Sequence, residues 1–365
     1  MNASIVFAAV AGVFAASFSS ADAFLLNGTE VMEDGPTSIL FAGDAFMSIG
    51  ARVSNEILEQ FNTARDDKTK PVHELFEAIE TKSDILYERP GDLSATAALV
   101  YSKLGGQVGF IGIVGDDDMG DKFNDYMGDN DVEVRTIRRG GNYTSRLYSL
   151  VDENGSYNVF KAVGACDTVS AADVDPFLMD YYDFFAVTTD MLRTAGRTGF
   201  TAKMVDAAIN RGQKIITILT DVVFGDYDSE MLKVILHNSE YVVGSMEQFI
   251  AIYKVSSRDE VADILHEKTS GDEPDHEVML VTLGAEGFAL FYDSEYIYVP
   301  APEVAVQRAD ADDYFIGAML YGMLNGRKLA ETIQYARAVV TDVCSDISAP
   351  LSDNFYNLIT DIPRI

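Results

Sequence analysis

The sequence predicts an α/β fold: a central, mostly parallel sheet flanked by helices on both faces, with a small β-sheet lid. Three observations predict it. Short apolar runs closed by glycine or polar turns recur along the chain, stretches of helical spacing alternate with them, and one region breaks that alternation with hairpin signals. A strand buried on both faces reads as a near-continuous apolar run. Alternating strands and helices supply the crossovers that a parallel sheet needs.

The elements follow in order. "SILFAGDAF" is a short apolar run ending in glycine, the form of a buried strand, and "TAALVYSKLG" is helical by spacing, with Gly105 as its stop signal. "VGFIGIVG" reads as the next strand and "MGDKFNDYMGDN" as the helix after it. Between Val132 and Val163 the pattern changes to β-rich runs separated by Gly140-Gly141 and by Asn154-Gly155, a strong hairpin signal. "DFFAVTT", "KIITILTD", "YVVGS" and "EVMLVTLG" return as strands, with helices such as "TAKMVDAAINRG" between them. No internal repeat or low-complexity linker interrupts the text. The expected organisation is a single domain over residues 37–362, its lid drawn from segments near 50–90 and 132–163.

Ahead of that domain lies a leader. "SIVFAAVAGVFAASF" is apolar but short for a span, and "SSADA" has the small-x-small pattern of a signal-peptidase site, so residues 1–23 read as a targeting peptide. Residues 24–36 form an acidic segment after it. Entry into the secretory pathway is the expectation, with a plastid of secondary origin as the alternative. No later run is apolar enough to cross a membrane.

Composition narrows the function. The 365 residues carry 58 Asp+Glu against 27 Lys+Arg, a net charge of −31. Such a surface repels phosphate backbones, which excludes direct nucleic-acid binding, whereas a basic protein could be attracted to it. Two cysteines, Cys166 and Cys344, make no disulfide framework, and the four histidines have no metal spacing.

Open α/β sheets bind ligands beyond the carboxyl ends of their strands, so the turns there are where function is sought. Three of them carry a resemblance. "GDLSATAALVYSKLGGQVGFIGIVGDDDMG" resembles the first signature of the ribokinase/PfkB-type carbohydrate kinases, and "LYSLVDENGSYNVFKAVGACDTVSAADVD" resembles the lid strands of their adenosine-kinase-like branch. "VTLGAEGFALF" and then "QRADADDYFIGAML" occupy the places of the nucleotide loop and the second signature.

The resemblance implies transfer of the γ-phosphoryl group of ATP, with Mg2+, to a hydroxyl of a sugar or nucleoside, and a homodimer joined through the lid. Asp310, Ala311, Asp312 and Asp313 stand where the family has Gly-Ala-Gly-Asp, which makes Asp313 the general base and also a candidate helix cap. Thr282, Gly284 and Gly287 match the nucleotide loop, a segment that also reads as a plain hairpin. Asp44 and Ser48 of "GDAFMS", with Gly91 and Ala95 of the first signature, stand at the substrate positions. Glu247 of "SMEQ" lies one place from the family's metal-motif glutamate.

Several of these positions depart from the family. Carboxylates replace two glycines at the phosphate turn, and a unit charge about 4 Å from phosphate at an effective dielectric of ~20 opposes it by roughly 4 kcal/mol. Magnesium bound by the aspartates, or Arg308 beside them, could offset that repulsion. The sequence therefore favours a degenerate, kinase-like binding or scaffold protein. The alternative is an active sugar or nucleoside kinase using Asp313 as base.

Overall fold

The computed structural model describes residues 37–66, 76, 79–152, 157–271, 274–306, 308, 310–346 and 348–360. The expected targeting peptide over residues 1–23, the segment 24–36 and the expected Asn154-Gly155 turn lie outside the described residues. The chain opens with β1 (Ser38–Ala42), β2 (Phe46–Arg52), α1 (Asn55–Asp66), β3 (Asp84–Gly91), α2 (Leu93–Lys103) and β4 (Gln107–Ile111). It continues with β5 (Ile113–Gly115), α3 (Asp118–Asp129), β6 (Glu133–Val134), β7 (Ile137–Arg139), β8 (Ser145–Val151) and β9 (Tyr157–Ala162). Then come β10 (Phe184–Thr188), α4 (Ala195–Asn210), β11 (Lys214–Ile218), α5 (Ser229–His237), β12 (Ser239–Ser245), α6 (Met246–Tyr253) and α7 (Arg258–Lys268). The last elements are β13 (Val278–Thr282), β14 (Gly287–Tyr292), β15 (Glu295–Pro300), α8 (Ala311–Leu324), α9 (Leu329–Val343) and α10 (Asn354–Thr360).

The main sheet has the order β15-β14-β13-β12-β11-β10-β1-β4-β6, parallel from β6 through β13 and antiparallel only at β13–β14 and β14–β15. Its strands serve two cores at once. Ile39 and Phe41 of β1 join the apolar layer beneath α2, α8 and α9, while Leu40 and Ala42 join the opposite layer beneath α4 to α7. Val278 and Leu280 of β13 divide from Met279 and Val281 in the same way. That period of two is why successive residues Ile39 to Ala42 and Val278 to Val281 are all apolar.

A second sheet, β3-β2-β8-β9, stands off the first as the lid. Two expectations need correction here. The segment 132–139 is not lid: β6 extends the edge of the main sheet beside β4, and β7 pairs with β5. "VGFIGIVG" is two strands, broken at Gly112, where an added Cβ would come within 2.8 Å of the Gly43 carbonyl. The close approach of β1's outgoing turn turns the chain out of the main sheet at that glycine.

Helices α2 and α8 set the site. A Cβ on Gly317 would meet the Ala97 carbonyl oxygen and the Val100 Cβ at 2.8 Å, so the glycine lets the two helices touch along their backbones. The first turn of each helix faces the same cleft, and their spacing fixes the two ends of the site relative to one another. Gly317→Val is expected to destabilise the fold by about 1–3 kcal/mol through overpacking, read as a lower midpoint in chemical denaturation.

Candidate active site

The carboxyl ends of β10, β11, β12 and β13 converge on a cleft of about 730 Å³ under the lid. Thr220 and Asp221 follow β11, Ser245 ends β12, Thr282 ends β13, and Asp312 and Asp313 come from the first turn of α8. Asp92 and Lys161 close it from the hinge and lid side. A second chamber of about 280 Å³ lies on the far side of Thr282 and Asp312, walled by Gly284, Ala285, Gly287, Pro300, Phe315 and Arg308 among others. Thr282 and Asp312 line both chambers, so they mark the passage between them.

The β13–β14 hairpin is real, with Val278 opposite Tyr292 and Thr282 opposite Phe288. Its turn is also a chamber wall. Gly284 (φ 56°) and Gly287 (φ 120°) adopt backbone that favours glycine, and a Cβ on Gly287 would strike the Val299 carbonyl at 2.1 Å.

Asp313 does not cap α8. The helix begins at Ala311, Asp310 takes the cap position without a side-chain cap bond, and Asp313 is the third helical residue. Its carboxyl is held well above the ordinary range by burial first and by the nearby Asp92, Asp310 and Asp312, while Lys161 pulls it down. Burial also raises Asp312, against a hydrogen bond with Thr282. Both acids thus resist ionisation, although the positive end of the helix dipole favours it.

The repulsion expected from Asp310 is offset. Arg308 grips it with both arms, Nε to Oδ1 at 2.9 Å and Nη2 to Oδ2 at 2.7 Å, and Arg89 of the lid strand β3 adds an Nη2 at 3.5 Å. Both arginines are buried. The turn at the start of α8 carries carboxylates, but Asp310 is already paired.

The structure sorts the remaining sequence candidates. Asp44 lies behind the cleft, buried and bonded to the fully buried Arg197 at 2.6 Å. Burial pushes its carboxyl up to about 6, against the pull of Arg197. Ser48 is buried on lid strand β2 against Gly91, and Ala95 sits at 0% exposure in the core beneath α2, so neither forms part of the cleft wall. The glycine-type backbone of the hinge falls at Asp92 (φ 67°, ψ 157°) instead of Gly91. Lys161 holds that strained aspartate with Nζ 3.2 Å and 3.3 Å from its two oxygens. Glu247 points away from the site, exposed and 3.7 Å from Arg258. "SMEQ" instead forms a capping box, Ser245 with Gln248, and the Gln248 amide donates to Asp221 at 3.1 Å.

Sequence reasoning missed Arg89, Lys161 and Arg197. Arg197 had a signal of its own, a charge within the otherwise apolar face of "AGRTGFTAKMV". Lys161 and Arg89 had none, because strand alternation makes any lysine or arginine look solvent-facing.

Among the described residues no group of three or more His, Cys, Asp or Glu is placed to hold a metal ion. A Mg2+ that arrives with nucleotide phosphates needs only one or two protein carboxylates. Asp221 and Asp312 are carboxylates on the cleft wall that would be open to such an ion.

Two chambers meet at the carboxyl edge of a parallel sheet, one walled by a glycine turn and one holding Asp313 under the lid sheet. Residues 89–349 match the model of the pfkB family carbohydrate kinases, which covers more than half of the chain. The chain belongs to that family. It is 25% identical over 278 residues to aminoimidazole riboside kinase of Salmonella typhimurium, covering 71% of this chain and 83% of that protein. Adenosine kinase from Sinorhizobium meliloti superposes with a TM-score of 0.68 at 20% identity, over 89% of this chain and 98% of that one. A ribokinase-like protein from E. coli, solved with ATP and Mg2+, superposes at 0.70 and 16% identity, over 89% and 99%.

Arg197 neutralises Asp44 and also reaches Asp167 at 2.7 Å. Arg197→Met, which leaves Asp44 buried without its partner, is expected to cost about 3–5 kcal/mol. Urea unfolding measures it.

Proposed function

We propose that this chain transfers the γ-phosphoryl group of ATP to a hydroxyl of a neutral sugar or nucleoside, with Asp313 as general base. The observation that carries the reading is the shared wall: Thr282 and Asp312 line both chambers, and Asp313 lies just beyond them on the acceptor side. The nucleotide would lie in the chamber walled by Gly284, Gly287 and Phe315, its phosphates directed past Thr282. A hydroxyl held in the lid-covered cleft would give its proton to Asp313 as it attacks in line. Bound Mg2+ would neutralise charge developing on the moving phosphoryl group, with Asp221 and Asp312 as its protein ligands. Closure of the lid keeps water from competing as acceptor.

The cleft also selects its acceptor by charge. Six aspartates line it against Lys161 and Arg193. Lys161 is engaged by Asp92 and Arg193 by Asp190. Asp221, Asp226, Asp312 and Asp313 have no ion-pair partner among the described residues, which disfavours a phosphorylated or carboxylated acceptor. At ~6 Å and an effective dielectric of ~20, a full negative charge opposes an anionic group by roughly 3 kcal/mol, and Asp312 and Asp313, which resist ionisation, contribute less than that. Turnover of ribosides and free sugars should exceed that of the matching phosphosugars and sugar acids by at least ten-fold in kcat/KM. A preference for the anionic compounds counts against the reading.

A second reading, a kinase-like protein that binds without turnover, is favoured by one feature: the Asp312 carboxyl stands in the passage itself. Asp313→Asn separates the two. Under the first reading kcat falls by at least 10²-fold with MgATP binding kept; under the second, ATP hydrolysis and transfer are absent before and after the change. The pH profile adds a signed check. Asp313 works ionised and its carboxyl is raised, so activity should climb with pH through a limb above the ordinary carboxylate range. Lys161 lowers that carboxyl, so Lys161→Met should move the limb to higher pH, measured as log kcat against pH.

A further inference from the structure

Two buried arginines flank the phosphate turn, and the chemistry above gives them no role. We propose that Arg308 and Asp310 act as one charge-compensated unit that makes the turn tolerant of a nucleotide's phosphates, with Arg89 tying that unit to the lid. The inference rests on the functional reading above and specifies how its nucleotide chamber is kept from repelling its ligand.

Arg308 forms part of the wall of the nucleotide chamber, beside Ala311 and Asp312. Its fork is spent on both oxygens of Asp310, and its remaining terminal nitrogen donates to the carbonyls of Val343 at 2.8 Å and Ala349 at 2.6 Å. A bidentate arginine–carboxylate pair has a fixed geometry, so the carboxylate is held on its cation. Tyr314 lies under the same guanidinium, its ring centroid 5.3 Å away. The result is a turn in which Asp310, for all its charge, presents little uncompensated field to the chamber.

Arg89 makes the second connection. It stands near the end of lid strand β3, two residues before the chain reaches Gly91. Its Nη1 donates to the carbonyls of Ser348 and Ala349 at 3.3 Å and 3.0 Å, and its Nη2 lies 3.5 Å from Asp310. That Nη2 is buried and has no hydrogen-bond partner among the described residues, and the guanidinium stacks 4.2 Å over the Tyr87 ring. The Ala349 carbonyl thus receives both arginines, one from the lid strand and one from the phosphate turn. A lid strand that shifts must carry one of the two cations with it, so lid position and charge at the turn move together.

A clasp that merely holds the C-terminal turn in place would use the same carbonyl bonds, and a double-mutant cycle read by calorimetric MgATP binding tells the two roles apart. Arg308→Met, which leaves Asp310 only the Arg89 contact at 3.5 Å, should weaken MgATP at least ten-fold. Arg308→Met combined with Asp310→Asn should recover the parent affinity to within about three-fold, because the carboxylate is gone with its cation. Asp310→Asn alone should bind as tightly as the parent or more tightly. An Arg308→Met chain that binds like the parent overturns the proposal, and so does a double variant no better than Arg308→Met. Should Arg308→Met fail to fold, Arg89→Met takes its place: it should weaken MgATP less than Arg308→Met would, yet measurably, and lose that deficit when Asp310→Asn is added. A parent chain that binds no nucleotide overturns the functional reading and this proposal together, whereas binding without coupling overturns the pair alone.

Discussion

The grip of Arg308 on both oxygens of Asp310 is the interaction on which the site depends. A helix N-terminus attracts anions through its free N–H groups, and glycine normally lets phosphate come close. Here the Asp310 carboxylate stands beside that helix end, against Arg308 of the chamber wall. Without a cation it would set a negative charge beside the start of α8. With the guanidinium closed on it, and Arg89 behind, the turn keeps its backbone donors and loses most of the added charge.

The same turn is held in register by packing. Gly317 brings α8 against α2, and α2 begins at the hinge where Asp92 adopts a backbone that glycine would take without strain. Lys161, on the opposite edge of the lid sheet from β3, pairs with Asp92 and lowers Asp313 from above. Two lid strands therefore reach the site with a positive charge each, Lys161 toward Asp313 and Arg89 toward Asp310. Lid sheet, Asp313 and the turn ahead of α8 form one electrostatic system instead of three neighbouring parts.

Behind the cleft under the lid the same logic is buried deeper. Asp44 and Arg197 pair out of reach of water, and Arg197 also bonds the Asp190 carbonyl at 3.2 Å and Asp167 at 2.7 Å. Cys166 lies 3.2 Å from the guanidinium, and its thiol is pushed up to about 12 by burial and by Asp44, so it stays protonated. That pair fixes the turns after β1 and β10 to each other, which sets one end of the cleft.

Much of this protein was legible in its text. Apolar runs at every position marked the parallel strands, the hairpin signals marked a departure from them, and the order of three turns carried the family. Those features are local or repeat along the chain, so the sequence alone determines the fold, the lid's existence and the place of Asp313, Thr282, Gly284 and Gly287. What it could not determine is which charges meet. Arg89 and Asp310 lie more than two hundred positions apart, Asp44 and Arg197 more than one hundred and fifty, and Lys161 reaches Asp92 only across the folded lid. Even the neighbours Arg308 and Asp310 could have pointed apart. Pairing is a matter of distances after folding, so only the tertiary structure decided that Asp310 stands beside its own cations, and that Glu247, Ser48 and Ala95 stand aside.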